Sequence, residues 1–174
     1  MRILNAGCGS DLSYGTDFVD LYPSSEKVIK VDLDNDRFPY PDETFDEVYS
    51  KCVFEHLTNP ANFMKESYRV LKKGGRLVII TDNATFIGWW ITSHKYEQRH
   101  GQEDMHFALF THYHLENWAK KFSFKVKKVE YVSYINNNNL NLISLLKIAA
   151  KKLAYLVLPK KISCTRIKLE AIKF

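Results

Sequence analysis

Short apolar runs broken by turn residues fill the first half of the chain. Arg2-Ile3-Leu4-Asn5 has the pattern of a short buried strand and stops at Gly7-Cys8-Gly9. Asp17-Phe18-Val19-Asp20-Leu21 and Lys27-Val28-Ile29-Lys30-Val31-Asp32 read as two more strands, each ending near an acid, with the turn Tyr22-Pro23-Ser24-Ser25 between them. Phe45-Asp46-Glu47-Val48-Tyr49-Ser50 is a fourth. From Asn59-Pro60 the spacing becomes helical, with Phe63, Tyr68 and Leu71 on the apolar side. Lys72-Lys73-Gly74-Gly75 then offers cations and glycines to stop the helix. Arg76-Leu77-Val78-Ile79-Ile80-Thr81 is the clearest strand. Strands alternating with helical pattern predict an α/β domain with a mainly parallel sheet.

The second half is less regular. Residues 84–114, rich in Trp, Tyr, Phe and His, read as a partly helical lid or acceptor-side insertion between a cofactor-binding half (1–83) and C-terminal helices and strands (115–174). One domain is expected across 1–174. His114 to Phe122 suits a helix, and Phe124 to Val132 alternates like a strand. Leu140 to Leu158 is a hydrophobic helix stopped by Pro159. Its central lysines, Lys147, Lys151 and Lys152, argue against a membrane span. Leu142, Leu146, Ala149, Leu153 and Leu156 form an apolar face that either packs on the sheet, the favoured reading, or lies on an anionic membrane surface. Thr165 to Lys173 alternates strictly, as an edge strand would, and is expected to pair antiparallel with the 124–132 strand beside the main sheet.

Composition narrows the class. The 174 residues are 45% hydrophobic and 14% aromatic, which excludes a disordered chain. The three cysteines, Cys8, Cys52 and Cys164, are odd in number and far apart, which suits a reducing cytoplasm. The start at Met1 runs straight into a strand, so no signal peptide is expected. Net charge is +5, divided as −4 over residues 1–83 and +9 over 84–174. A basic C-terminal half is compatible with nucleic acid, anionic lipid or an anionic substrate, and equally with a solvated lysine-rich surface.

Candidate chemistry begins at Asn5-Ala6-Gly7-Cys8-Gly9-Ser10-Asp11. Glycines after a first strand let backbone approach a ligand closely, and acids at later strand ends accept ribose hydroxyls. The pattern implies a nucleoside-containing cofactor. The third glycine of the dinucleotide fingerprint is absent, which disfavours NAD or FAD.

Taken in order, Leu4 to Gly9, Val31-Asp32-Leu33, Phe38 to Ser50 (with Phe38-Pro39-Tyr40-Pro41-Asp42 and Phe45-Asp46), Val53-Phe54-Glu55-His56-Leu57 and Arg69 to Ile79 resemble the class I S-adenosylmethionine-dependent methyltransferases, and within them the small-molecule branch. A fainter echo runs from His106-Phe107 to Phe110-Thr111. The resemblance implies a Rossmann-like fold, a mainly parallel sheet with an antiparallel C-terminal strand pair. It implies S-adenosyl-L-methionine as cofactor, S-adenosyl-L-homocysteine as product, and an acceptor that is a small molecule, a saccharide or lipid-linked. By position, Gly7, Cys8 and Gly9 would pack on the cofactor, Asp20 would take the ribose hydroxyls, and Asp32 and Leu33 would border the adenine. Ser50 and Lys51 would lie near the methionine end, followed by Cys52. Glu55 and His56 would open the next helix at the mouth. Asn5 replaces the acid usual before the first glycine, although its carbonyl oxygen can still accept. Asp11 replaces the third glycine. The helix that the family places ahead of the first strand is expected to be missing. The short spacing implies either early crossovers stripped to loops, the preferred reading, or a degraded helix over 10–24 with Asp32 alone as the ribose acid.

A cofactor carrying an activated methyl leaves the protein to align the acceptor and exclude water. Where the acceptor must lose a proton, His56 and His106 are the candidate bases, with Tyr113 behind them. Five histidines lie between 94 and 114, but none has H-E-x-x-H spacing, so no metal is expected. Trp89-Trp90, Phe107, Phe110 and Tyr113 are read as an acceptor-pocket wall or ordinary core. In the superfamily that the chain resembles, an Asn/Asp-Pro-Pro-Tyr/Phe sequence goes with amino groups of adenine or glutamine; none is present, so the resemblance implies other acceptors. Two alternatives stand beside the small-molecule enzyme: an RNA-directed methyltransferase and a non-catalytic protein that binds the same cofactor. Neither the acceptor atom nor the oligomeric state is legible.

Overall fold

The computed structural model describes residues 1–89, 106–133, 153 and 156–174. Its strands are β1 (Ile3–Ala6), β2 (Asp17–Asp20), β3 (Val28–Lys30), β4 (Phe45–Lys51), β5 (Leu71–Asp82), β6 (Phe124–Val132) and β7 (Arg166–Lys173). The described helices are α1 (Pro60–Val70), α2 (His112–Lys121) and the short α3 (Lys160–Ser163), with a 3-10 turn at Phe54–His56. One seven-stranded sheet runs in the order β3-β2-β1-β4-β5-β7-β6. The first five strands in that order are parallel, and β7 pairs antiparallel with both β5 and β6. The expected architecture and C-terminal pair are both present.

Loops carry the first crossovers. Residues 7–16 link β1 to β2 and residues 21–27 link β2 to β3, with no helix in either. A parallel crossover commonly uses a helix of a dozen residues or more. Here polar fasteners replace that packing. Arg2 donates two hydrogen bonds to Asp17, at 2.6 and 3.0 Å. Thr16 Oγ1 accepts from Ile3 N–H at 2.9 Å. The buried Asn5 amide donates to the carbonyls of Tyr14 (2.9 Å) and Asp11 (3.3 Å).

Two expectations need correction. The first helix ends at Val70, before the Lys72–Gly75 turn, because the fully buried Leu71 is already extended and pairs with Phe45 in the sheet. The 165–173 strand is interior; β6 is the edge. Its alternation reports one covered face, on which Ile167, Leu169 and Ala171 are fully buried, while Lys168, Glu170 and Arg76 form ion pairs on the other. The Leu140–Leu158 helix lies largely outside the described residues. At its end Leu153, Leu156 and Val157 are exposed, so packing on the sheet is not seen there. Among the described residues no helix is long and apolar enough to cross a membrane.

The core is continuous from Leu4, Ala6 and Val48 through Phe45, Phe63 and Leu77 to Leu115, Phe124 and Leu169. A buried ion pair ties α1 to the Phe38–Asp42 loop. Glu66 accepts from Phe38 N–H at 2.9 Å and from Arg69, whose guanidinium also donates to the Phe38 and Tyr40 carbonyls. Burial pushes the Glu66 carboxyl up, but these hydrogen bonds outweigh it and hold it below the usual carboxylate range. The stabilisation is therefore present above the unfolded pKa of about 4.3 and is lost as pH falls through the lower folded value. Glu66→Gln is expected to cost about 2–4 kcal/mol near neutrality, since it breaks a buried pair. In urea denaturation series the gap between variant and parent should close below about pH 4; a gap that persists at acid pH would disprove the linkage.

Candidate functional site

Loops that leave the carboxyl ends of β1, β2, β4 and β5 meet at one edge of the sheet, where open α/β sheets bind ligands. The first of them is the glycine turn. Gly7 has φ +76°, and a β-carbon built there would lie 2.3 Å from Val53 Cγ2. Gly9 has φ +54°, and a β-carbon there would meet nothing within 4 Å. The two glycines therefore do different work. Gly7 admits the loop after β4, and Gly9 leaves open space above the backbone.

Asp20, at the end of β2, accepts from Gly9 N–H at 2.7 Å and from Tyr22 N–H at 2.9 Å. Ser24 Oγ donates to the Gly9 carbonyl at 2.7 Å. The acid and the glycine turn thus form one unit. Asp32 stands just past the end of the neighbouring β3, where Val31 N–H donates to the Asp20 carbonyl at 3.0 Å. It caps its own turn, accepting from Asp34 N–H and the Asn35 amide at 2.9 Å each. The adjacent Leu33 is buried, and its carbonyl accepts from the Asn62 amide at 3.0 Å. Cys8 is buried in a small cluster with Phe18 and Val28, and burial pushes its thiol up to about 11.

Ser50 ends up buried at the end of β4, and its Oγ has no hydrogen-bond partner among the described residues. By continuation of the Asn5–Tyr49 register it lies across from Ala6, at the mouth of the glycine turn. Lys51 follows, half-buried, and Cys52 takes the left-handed conformation at φ +57°. That is an uncommon state for a residue with a side chain. Burial raises the Cys52 thiol to about 11.

Phe54 anchors the 3-10 turn. It is 1% exposed and packs on Phe63, Phe110 and Trp118 at ring separations of 5.8, 4.9 and 6.1 Å. The next two residues, Glu55 and His56, are thereby held at the edge, in this isolated turn rather than at the start of α1. Segment 106–110 returns to the same place: Phe107 N–H donates to the Glu55 carbonyl at 2.9 Å. His106 and His56 meet edge-on, with ring centres 4.3 Å apart. Thr81 Oγ1 donates to Glu55 Oε2 at 2.5 Å. Asp82 stands 3.4 Å from His106 Nδ1 and 3.5 Å from Arg166 Nε.

These groups perturb one another. Burial raises the Glu55 carboxyl to about 7, against the Thr81 hydrogen bond. Burial also raises Asp82, while His106 and Arg166 restrain it. Burial, and then the charge of His56, lower His106, opposed by Asp82. Perturbed groups gathered in a cleft mark functional sites. One ligand atom each from Glu55, His56 and His106 lie within 4.8 Å of one another, although no linear spacing suggested a metal site.

Several expected site residues have other work. The Asn5 amide holds the 11–14 loop. His112 accepts or donates with Tyr131 Oη at 2.8 Å, and His114 completes the capping box of α2 with Thr111. Both lie on a helix, not a strand. Phe110 is core, whereas Phe107 and Tyr113 are exposed, so no common aromatic wall forms among them. His94, His100 and Trp90 lie outside the described residues. The sequence reading did not single out Thr81, Asp82 or Arg166 as site residues. The first two close the clearest strand, which is the position where ligand groups gather.

A parallel sheet in this order, closed by an antiparallel β7 and carrying its polar groups at the carboxyl edge, is the Rossmann-like class I methyltransferase fold. Residues 17–79 match the family described as a methyltransferase domain. A protein of Mycolicibacterium smegmatis curated as "Probable S-adenosylmethionine-dependent methyltransferase" is 31% identical over 101 residues, which are 47% of this chain and 38% of that one. The chain thus matches well under half the length of that relative. A SAM-dependent methyltransferase structure from Archaeoglobus fulgidus superposes with a TM-score of 0.66 at 18% identity, covering 99% of this chain and 86% of that one. One from Thermotoga maritima gives 0.67 at 18% identity, covering 99% and 82%. Residues 17–79 thus resemble a methyltransferase domain, and the superpositions show that fold.

The two glycines yield a direct test of their separate roles. Gly7→Ala combines a left-handed backbone with a collision against Val53 and should cost about 2–5 kcal/mol of stability. Gly9→Ala has space and should cost only about 1–2 kcal/mol. Chemical denaturation of the two variants reads the difference; equal losses would contradict it.

Proposed function

We propose that this protein binds S-adenosyl-L-methionine between the glycine turn and Asp20. The methyl is passed to an acceptor presented at the Glu55–His56–Asp82–His106 cluster. The observation that carries this reading is the joining of Asp20 to Gly9 N–H beside a cluster in which Glu55, Asp82 and His106 are perturbed by burial, on the neighbouring strand ends.

The residues present fit the cofactor. The space above Gly9 admits a ligand where a side chain would intrude. Asp20 keeps acceptor capacity for ribose hydroxyls after taking two backbone N–H bonds. The orphaned Ser50 Oγ offers a buried polar contact toward the amino-acid end. When bound, the sulfonium supplies an activated methyl group and leaves as the neutral thioether.

The chain's own residues then have three tasks. Phe54 and the backbone bond from Phe107 hold Glu55 and His56 in place. Asp82, itself beside Arg166, orients the His106 ring from its Nδ1 side. The cluster polarises the acceptor and receives its proton where one must leave. The acceptor is of the small-molecule, saccharide or lipid-linked kind, taken up in the cytoplasm. Residues 140–158 are the candidate contact for a membrane-borne acceptor.

Calorimetry with S-adenosylmethionine and S-adenosylhomocysteine, with NAD as control, tests the reading. Both sulfur compounds should bind and NAD should not. Asp20→Ala should weaken binding at least about tenfold, the loss of charge-assisted hydrogen bonds worth about 1.5–3 kcal/mol. Asp32→Ala should act mainly on the 32–36 turn. A folded protein that binds neither sulfur compound would sink the enzyme reading, and a loss confined to Asp32→Ala would move the ribose to that acid.

A further inference from the structure

We propose that Glu55, His56 and His106 hold one divalent transition ion, of the borderline kind that zinc and cobalt represent, and that its open positions take oxygens of the methyl acceptor. The ion site stands on its own geometry; the assignment of its open positions rests on the methyltransferase reading.

Three observations carry it. The first is the ligand set. Two imidazoles and one carboxylate, with one ligand atom each, lie within 4.8 Å of one another. Metal–ligand bonds of about 2.0–2.2 Å bring such atoms to about 3–3.5 Å apart, a distance that small side-chain rotations close. Two histidines and a glutamate are a set used by catalytic zinc sites, which keep a position open. An imidazole majority disfavours magnesium and calcium, which prefer oxygen.

The second observation is the support behind those ligands. Metal-binding histidines commonly present their other ring nitrogen to a carboxylate, which fixes tautomer and orientation. His106 has Asp82 at 3.4 Å from Nδ1, so Nε2 is the nitrogen assigned to the ion. Arg166 stands behind Asp82. Glu55 is 1% exposed, and its Oε2 is held by Thr81, which leaves Oε1 for an ion. The backbone around Glu55 is fixed by two N–H bonds to its carbonyl, from Phe107 and Ala108.

The third is position. Glu55 is buried, while His56 and His106 are only half-buried, so the site is closed on the Glu55 side and reached from the imidazole side. It lies on the strand ends adjoining the glycine turn. With the ion in place the two imidazoles serve as ligands rather than bases, so the proton of an acceptor oxygen passes to solvent on the half-exposed His56 side instead of to the cluster, which takes it only in the ion's absence.

The test uses the full-length, untagged chain stripped with a chelator. Co²⁺ is titrated in while the visible d–d absorption is followed, and Zn²⁺ and Mg²⁺ are then added as competitors. The band should saturate at one equivalent, vanish with stoichiometric Zn²⁺ and survive millimolar Mg²⁺. His56→Gln and His106→Gln should each remove it. Asp82→Asn should weaken binding by about 10–100-fold. Cys52→Ser should leave it, which separates these ligands from the nearby thiol. Circular dichroism confirms the fold, and His→Asn replaces any His→Gln variant that fails it. No saturable band from folded protein, or a band unchanged in both histidine variants, overturns the site. S-adenosylmethionine calorimetry on the same samples separates the two readings. Cofactor binding without Co²⁺ binding overturns the ion alone. Co²⁺ binding without cofactor binding keeps the ion site and overturns its role toward the acceptor.

Discussion

At Gly7 there is no room for a β-carbon, because Val53 lies where it would stand. That close approach holds the loop after β4 against the turn after β1, and the rest of the carboxyl edge follows from it. Cys52 supplies the sharp reversal by adopting φ +57°, and its N–H donates to the Ile80 carbonyl at 2.8 Å. Val53 is thereby turned toward Gly7 and Phe54 down into the aromatic core. Glu55 and His56 come next and have no freedom to lie elsewhere. A bulkier residue at position 7 would push the cluster away from the glycine turn, so the two halves of the site are set by a single van der Waals contact.

The short crossovers make this arrangement dependent on polar fasteners. Where helices would cover β1 to β3, the chain uses side chains that satisfy loop backbone directly. Asp34 is a clear case. Its carboxylate accepts from Thr58 N–H and Oγ1 and from Asn59 N–H, at 3.0, 2.7 and 2.8 Å. These bonds tie the loop after β3 to the start of α1, whose Asn59 makes no side-chain cap of its own. Tyr14 performs a similar task from the first crossover, donating at 2.7 Å to the buried Glu47, which Arg76 also engages. Unpaired, a buried carboxylate is expensive; with a phenol and a guanidinium it links two strands and a loop.

These details explain what the residues disclosed in advance and what they did not. The parallel strands were legible because β1, β4 and β5 are apolar runs bounded by turns. The loop-only crossovers followed from the short spacing and from Tyr22-Pro23-Ser24-Ser25. The place of β7 was not legible: a one-sided alternation is the same for an edge strand and for an interior strand with one uncovered face. Gly7, Gly9 and Asp20 were readable as a group because they sit near each other in the chain and at strand ends. His56 and His106 were picked singly. Their meeting was hidden, because fifty residues separate them and the second reaches the first through long-range contacts such as the Phe107 and Ala108 backbone bonds to Glu55. Asp82 was overlooked for the opposite reason, since it ends a strand so regular that its last residues read as structure alone.

Charge at the cluster gives the final constraint. Glu55 and Asp82 are both acids, both buried and both pushed upward by burial; the Arg166 charge opposes this for each, and it pairs directly with Asp82 at 3.5 Å. A low-dielectric site with two carboxyls needs positive charge nearby or must hold a proton. Arg166 supplies part of it permanently. The imidazoles supply it only when protonated, and His106 is held below its usual value by burial and by His56. The sulfonium cofactor proposed for this edge is cationic and its product neutral, so an edge rich in carboxyl groups would favour the charged partner before transfer and hold the product less strongly afterwards. A cation that bridges Glu55 and the two imidazoles would ionise the acid that Arg166 reaches only through its charge and not by a direct ion pair. It would also leave both rings neutral as ligands, which is the state toward which burial already pushes His106.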